Sequence, residues 1–211
     1  MALQVLPNAT PTRVFQPSGV GLDQAIHDTK YATIALAAGP IPATTRFFSA
    51  APSADPCADR YEQGNTIVTS GKQFTIAGIG VQLTIGAGGT LADLERTINY
   101  CAVRITTSQK EFGVFPLYML PQGGGIQMFG GQLALTPVAP PGATVTTGAT
   151  NGVPTRAAMF NLACPLIIQG NASFFMELLG PNGAGAFATQ TNTGIVVVKI
   201  VLDGVESRVA A

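Results

Sequence analysis

Glycine and proline punctuate this chain from end to end, and their spacing limits the fold more than any other feature. There are 25 glycines and 15 prolines in 211 residues, well above the average of roughly 12% for the pair. They do not collect in one linker. Proline removes a backbone donor and glycine costs backbone entropy, so long helices are excluded wherever they recur. The runs between them are short and rich in β-branched and aromatic residues: "ATTRFFSA" (43–50), "NTIVTS" (65–70), "KQFTIAGIGVQLTI" (72–85, interrupted near Gly78 and Gly80), "CAVRITT" (101–107), "FGVFPLYML" (112–120), "GIQMFGGQLALT" (125–136), "AAMFNLACPLII" (157–168), "ASFFMELL" (172–179) and "GIVVVKIVLDGV" (194–205). Several alternate with period two: Phe74 and Ile76 share one face, and 104–106 reads polar, apolar, polar. Eight or nine strands with turns at fairly regular spacing predict an antiparallel β-sandwich or barrel.

Residues 1–42 read differently. They are rich in Pro, Gly, Ala and Thr, with one weak helical or turn segment near 22–30, and they predict an extended N-terminal arm. The sandwich domain is then expected over 43–211, with long loops at 136–155 and 180–194.

One helix stands out. Thr90 is a good N-cap, and Asp93 three residues on is a short-chain version of the capping box. Leu91, Leu94 and Ile98 then recur on one face, which predicts a helix near 91–100. The stretch before it, "VQLTIGAGGT", raises a nucleotide-binding alternative, since a strand, a glycine-rich turn and a helix open a dinucleotide fold. That fingerprint needs G-x-G-x-x-G/A with a small third residue, and here Gly86-Ala-Gly88 is followed by Leu91 at that position. Glu111, the nearest acid after the second strand, comes too late, and no Lys-Ser/Thr follows the glycines as a phosphate loop requires. Nothing else in the chain alternates strand with helix. The glycines are therefore expected to turn the chain and to bind nothing. Gly123, Gly124 and Gly125 read the same way, as a tight turn or bulge between strands.

Catalytic constellations are scarce. The single histidine, His27, has Asp23 four residues before it and Asp28 beside it, a spacing that suits a metal pair or an oriented base but equally a solvated turn. Asp55, Cys57, Asp59 and Glu62 cluster in "ADPCADRYE". Hard carboxylates with a soft thiolate define no common metal site, although Asp55, Asp59 and Glu62 with backbone carbonyls would suit Ca²⁺. Glu111 and Glu177 form a formal carboxylate pair for glycoside hydrolysis. There is no Trp and only four Tyr to stack sugars. Neither are aromatics interleaved with Lys/Arg, as single-stranded nucleic acid requires. Expected, then, is a protein that is not an enzyme and that takes no cofactor or metal. The three cysteines, Cys57, Cys101 and Cys164, are odd in number and widely spaced, which points to free or buried thiols.

Charge supplies the remaining clue. Only 10% of residues are charged, eleven of each sign, so no field steers this surface toward nucleic acid or acidic membranes. Mean hydropathy is +0.34, yet no run reaches the ~18 apolar residues of a spanning helix. The N-terminus has no basic segment followed by an apolar core, so no secretory signal is expected. An apolar, neutral chain of this kind associates unless its surface is covered, which points to burial against other subunits.

An all-β chain with low charge, an extended arm, Pro/Gly loops and no catalytic set resembles viral capsid proteins. It is most similar to the single jelly-roll coat proteins of icosahedral bacteriophages, including membrane-containing ones. The blocks that carry the resemblance are "RFFSA", "GKQFTIAGIGVQL", "EFGVFPLYMLPQGGG" and "GIVVVKIVLDG". The resemblance implies eight strands in two packed sheets and self-assembly into trimers or larger capsomers. It also implies arms reaching to neighbouring subunits. The expected partners are copies of itself and other capsid proteins in a virion assembled from chains made in the host cytoplasm, with no specific nucleic-acid binding. The apolar residues expected at subunit contacts are Val5, Leu6, Val14 and Phe15 in the arm and Val138, Val145 and Val153 in the 138–153 loop. Two alternatives stay open: a jelly-roll ligand-binding module or enzyme in which Asp55, Asp59, Glu62, Glu111 or His27 converge on a pocket, and a tail or fibre protein that binds a receptor.

Overall fold

The structure, a computed structural model, describes residues 22–108, 110–120, 127–130, 147–150, 159–183 and 188–209. Twelve strands follow in chain order: β1 (Leu22–Leu36), β2 (Gly39–Pro40), β3 (Thr44–Phe47), β4 (Lys72–Ile85), β5 (Ala102–Thr107), β6 (Lys110–Pro116), β7 (Gln127–Gly130), β8 (Thr147–Thr150), β9 (Phe160–Gln169), β10 (Phe174–Leu179), β11 (Thr191–Asn192) and β12 (Val196–Val209). Helix α1 (Leu91–Tyr100) lies between β4 and β5, and a single 3₁₀ turn (Leu117–Met119) follows β6. The chain is all-β and antiparallel. One four-stranded sheet has the order β1-β12-β4-β9 and the other β3-β10-β5-β6; β2 pairs with β11, and β7 with β8.

The pairing is nested. The first long strand pairs with the last, β3 with β10, β4 with β9, and β5 with its sequence neighbour β6. Each sheet contributes the apolar side of its alternation to one shared core. Phe74 and Ile76 of β4 and Val198, Ile200 and Leu202 of β12 meet Val103 and Ile105 of β5 and Phe174, Met176 and Leu178 of β10. In β5 the alternation is strict, intermediate then buried throughout, as a strand with one wet face requires. The interruption expected near Gly78 is a bulge: register shifts between Ile76 and Gly78 on one side of β4 and between Asp203 and Gly204 of β12 on the other. Helix α1 has the expected limits, and both halves of its capping box are made.

Two expectations are corrected. The segment near 22–30 is neither helix nor turn. It opens β1, which pairs with β12 from Leu22↔Val209 to Leu36↔Val196, so residues 22–36 of the expected 1–42 arm belong to the sheet. The alternation is masked in the sequence because two inward positions, Asp28 and Lys30, are charged. Residues 65–70 do not form a strand either. Ile67 and Val68 are both fully buried, but on a loop of turns and bends. They plug the core from a loop, held by Asn171 N–H donating to the Val68 carbonyl at 3.0 Å.

The free edge of β1 is covered by the chain's own 55–60 segment. Tyr31 and Arg60 exchange backbone hydrogen bonds of 3.1 and 2.8 Å, and Thr33 N–H donates to Asp59 Oδ1 at 2.9 Å. At these positions the edge offers no template for another strand.

Candidate functional site

The glycine-rich turn is filled by the chain itself. Residues 191–195 lie across it: a Cβ on Gly86 would sit 2.8 Å from Ile195 Cγ2, one on Gly89 2.5 Å from the Ile195 carbonyl oxygen, and one on Gly194 would overlap the Gly88 backbone. These glycines let two segments touch through bare backbone. Gly88 also has φ +68, a conformation glycine adopts without steric cost. The donors that would cradle a phosphate are spent on Asp93, which is fully buried. Its Oδ2 accepts from Thr90 N–H and Thr90 Oγ1, both at 2.9 Å, and from Thr193 Oγ1 at 2.6 Å; its Oδ1 accepts from Thr193 N–H and Arg96 Nη1, both at 2.8 Å. Burial alone would raise this carboxyl. The hydrogen bonds from Thr193 and Thr90 outweigh it and hold it well below the usual range.

The carboxylates singled out in the sequence do not converge. Asp55 Oδ1 accepts from Cys57 N–H at 2.8 Å, closing a turn. Asp59 ties Thr33 to Ser53 through their amides. Glu62 accepts from Thr69 N–H, Thr69 Oγ1 and Lys72 Nζ; burial would raise its pKa, but the bonds from Lys72 and Thr69 lower it to about 2. His27 Nε2 meets Asp203 Oδ1 of β12 at 2.6 Å. Glu177 is pinned between Arg46 and Arg104, while Glu111 reaches Arg104 Nη1 only at 3.9 Å. Among the described residues, no group of three His, Cys, Asp or Glu is placed to hold a metal ion.

An ionic chain at one end of the core has no local signal in the sequence. Lys30, 5% exposed, bridges Asp28 Oδ2 and Glu206 Oε2 at 2.8 Å each. Arg60 binds the other oxygen of Asp28 at 2.6 Å, and Lys72 joins Glu206 to Glu62. Three cations alternate with three carboxylates, so each buried charge is compensated, as burial demands. An open cleft of about 230 Å³ on the outer face of β1, β12 and β4 includes Thr33, Asp55, Cys57, Gln82 and Lys199 in its lining. Lys199 Nζ is already turned to the Cys57 carbonyl and lies 5.0 Å from the Tyr31 ring centre.

The surface that stands out is apolar. Phe112 and Val114 of β6 and Tyr118 and Met119 just after it are 49%, 47%, 60% and 43% exposed. They line the edge of their sheet, where β6 pairs with β5 on one side, and the Phe115 ring lies 5.5 Å from that of Phe160 in β9. Between residue 120 and β9 the described strands are β7 and β8, paired with each other. Residues 121–158 between carry one charged side chain, Arg156. The expected contact residues Val5, Leu6, Val14, Phe15, Val138, Val145 and Val153 lie outside the described residues.

No protein-family model matches the chain, and a search of curated proteins finds no match. No helix among the described residues is long and apolar enough to cross a membrane.

Proposed function

We propose that this chain is a structural virion protein, built on a single jelly roll, that self-assembles with copies of itself and other capsid proteins into a shell. The nested pairing carries the fold half of the reading. Reduced to their eight long strands, the sheets run first-eighth-third-sixth and second-seventh-fourth-fifth, the order obtained when one long hairpin rolls up into two Greek keys. Jelly rolls of this kind serve viral capsids, lectins and cupins. The inward positions here hold Phe47, Phe74 and Phe174 with no imidazole among them, and the chain has no Trp to stack a sugar.

The assembly half rests on the exposed apolar edge at 112–119, on a 121–158 excursion with one charge, and on a net charge of zero. The mechanism is burial. A contact of standard size hides about 1,600 Å² in total, drawn from this edge and from the apolar residues Val5, Leu6, Val14, Phe15, Val138, Val145 and Val153. Major coat, minor coat and decoration protein are all roles of this class.

Sedimentation velocity with negative-stain microscopy tests the reading. Trimers, capsomers or shells are the expected result. A chain that stays monomeric at high concentration, and whose association and stability ignore removal of residues 1–21, would overturn it.

A further inference from the structure

The two lateral edges of the molecule are not alike. On one side β1 lies over β3, and the 55–60 segment closes the β1 edge at Tyr31 and Thr33. On the other side β6 lies beside β9 and exposes Phe112, Val114, Tyr118 and Met119. Residues 1–21 precede β1, so they leave from the closed side. Extended, they reach up to about 70 Å, several times the roughly 14 Å spanned by four strands. Their character fits the open side. They carry Leu3, Val5, Leu6, Val14 and Phe15, with Arg13 as the one charge. Pro7, Pro11 and Pro17 suit a segment lying along an edge, where a missing donor costs nothing. At the rim of the apolar edge stands Glu111, 53% exposed; its nearest cation, Arg104, lies 3.9 Å away and is itself committed to Glu177.

We infer that residues 1–21 of one copy dock on the 110–119 edge of a neighbouring copy, with Val14 and Phe15 against Phe112, Val114 and Tyr118, and with Arg13 against Glu111. This rests on the proposal that the chain assembles with itself, and it adds the acceptor surface and the polarity. Donor and acceptor are different surfaces on opposite edges, so the contact is head-to-tail. Such a contact closes rings or extends a lattice, and it does not form an isologous dimer.

Charge reversal in the full chain tests it, read by sedimentation velocity over a concentration series. Arg13→Glu and Glu111→Arg each weaken association by at least about tenfold, as loss of a close interfacial charge pair does. The double variant recovers, and an equimolar mixture of the two single variants associates better than either alone, because the reversed arm of one meets the reversed acceptor of the other. Val114→Ser weakens association with thermal stability unchanged. If the wild type assembles but both reversals leave association intact, the acceptor is wrong and the assembly reading stands. If Val114→Ser acts while Arg13→Glu and removal of residues 1–21 do not, another segment covers the edge. If the reversals lower the melting temperature of a monomer without changing association, the arm docks on its own copy. Each of these three results overturns the inference. A wild type that never associates removes the proposed function, and the inference with it.

Discussion

Asp93 is the residue on which the glycine-rich turn, helix α1 and the 191–195 segment depend together, and removing its carboxylate is the sharpest test of that arrangement. Five hydrogen bonds end on it, two from backbone amides, Thr90 and Thr193, and one from Arg96. In Asp93→Ala both amides are left facing a void, at about 1–3 kcal/mol each. Breaking a buried charge-paired contact costs about 3–5 kcal/mol by itself. These figures describe the same bonds and do not add, so the expected loss is about 4 kcal/mol. For a chain of this length each kcal/mol moves Tm by about 2–4 °C, giving a fall of about 8–16 °C. Asp93→Asn keeps the shape but turns an amide N–H toward the Thr90 or Thr193 donors, and it loses about 2–3 kcal/mol. The pH dependence has a definite sign. The folded pKa lies below the unfolded value, so this stabilisation is fully present above about pH 4 and is lost as pH falls below it. Asp93→Asn therefore flattens the acid limb of the stability curve. The assay is circular-dichroism melting from pH 2 to 7, with the exposed Glu95→Gln as control. An Asp93→Ala protein within about 1 kcal/mol of wild type, with the acid limb unchanged, would refute the reasoning.

The ionic chain and the cysteines give further expectations. Lys30→Met leaves Asp28 and Glu206 facing each other without their shared cation and costs about 3–5 kcal/mol. Burial would raise the Asp28 pKa, and its bond to Lys30 and the charge of Lys30 lead the effects that hold it down. Acid unfolding of Lys30→Met, followed by intrinsic fluorescence, therefore begins at higher pH; an unshifted midpoint would count against the chain. Glu62, lowered to about 2, stabilises the fold above the usual carboxylate range and loses that contribution as pH falls toward 2, so Glu62→Gln flattens the same limb. Cys57 and Cys164 are exposed, whereas Cys101 is buried and its thiol is pushed up to about 12. A disulfide-exchange reagent should titrate two thiols quickly and the third only on unfolding; three fast thiols would mean that Cys101 is not in the core.

What was legible in the sequence was local. Helix α1, its Thr90–Asp93 cap and the limits of β4 follow from side chains a few residues apart, whose geometry is fixed by one element's own period. Strand β1 was not legible, because Asp28 and Lys30 occupy inward positions that a period-two reading assigns to apolar residues. They are tolerated there only because Glu206, 176 residues from Lys30, and Arg60 complete their charge. The capping box was visible, but its partner Thr193, 100 residues away, was not.

The sequence by itself determined most of the extended segments, though not β1, and that the chain has more apolar residues than charge to cover them. Tertiary structure alone decided which strands pair. Every strand here could satisfy its hydrogen bonds against several others, and its alternation says only which face is wet. The nested order, the plug at Ile67 and Val68 and the ionic chain are choices among non-local contacts, set by the packing of both sheets at once. The same choice closed the β1 edge with 55–60 and left Phe112, Val114, Tyr118 and Met119 exposed on the other. No local pattern distinguishes an apolar residue of the core from one left at the surface.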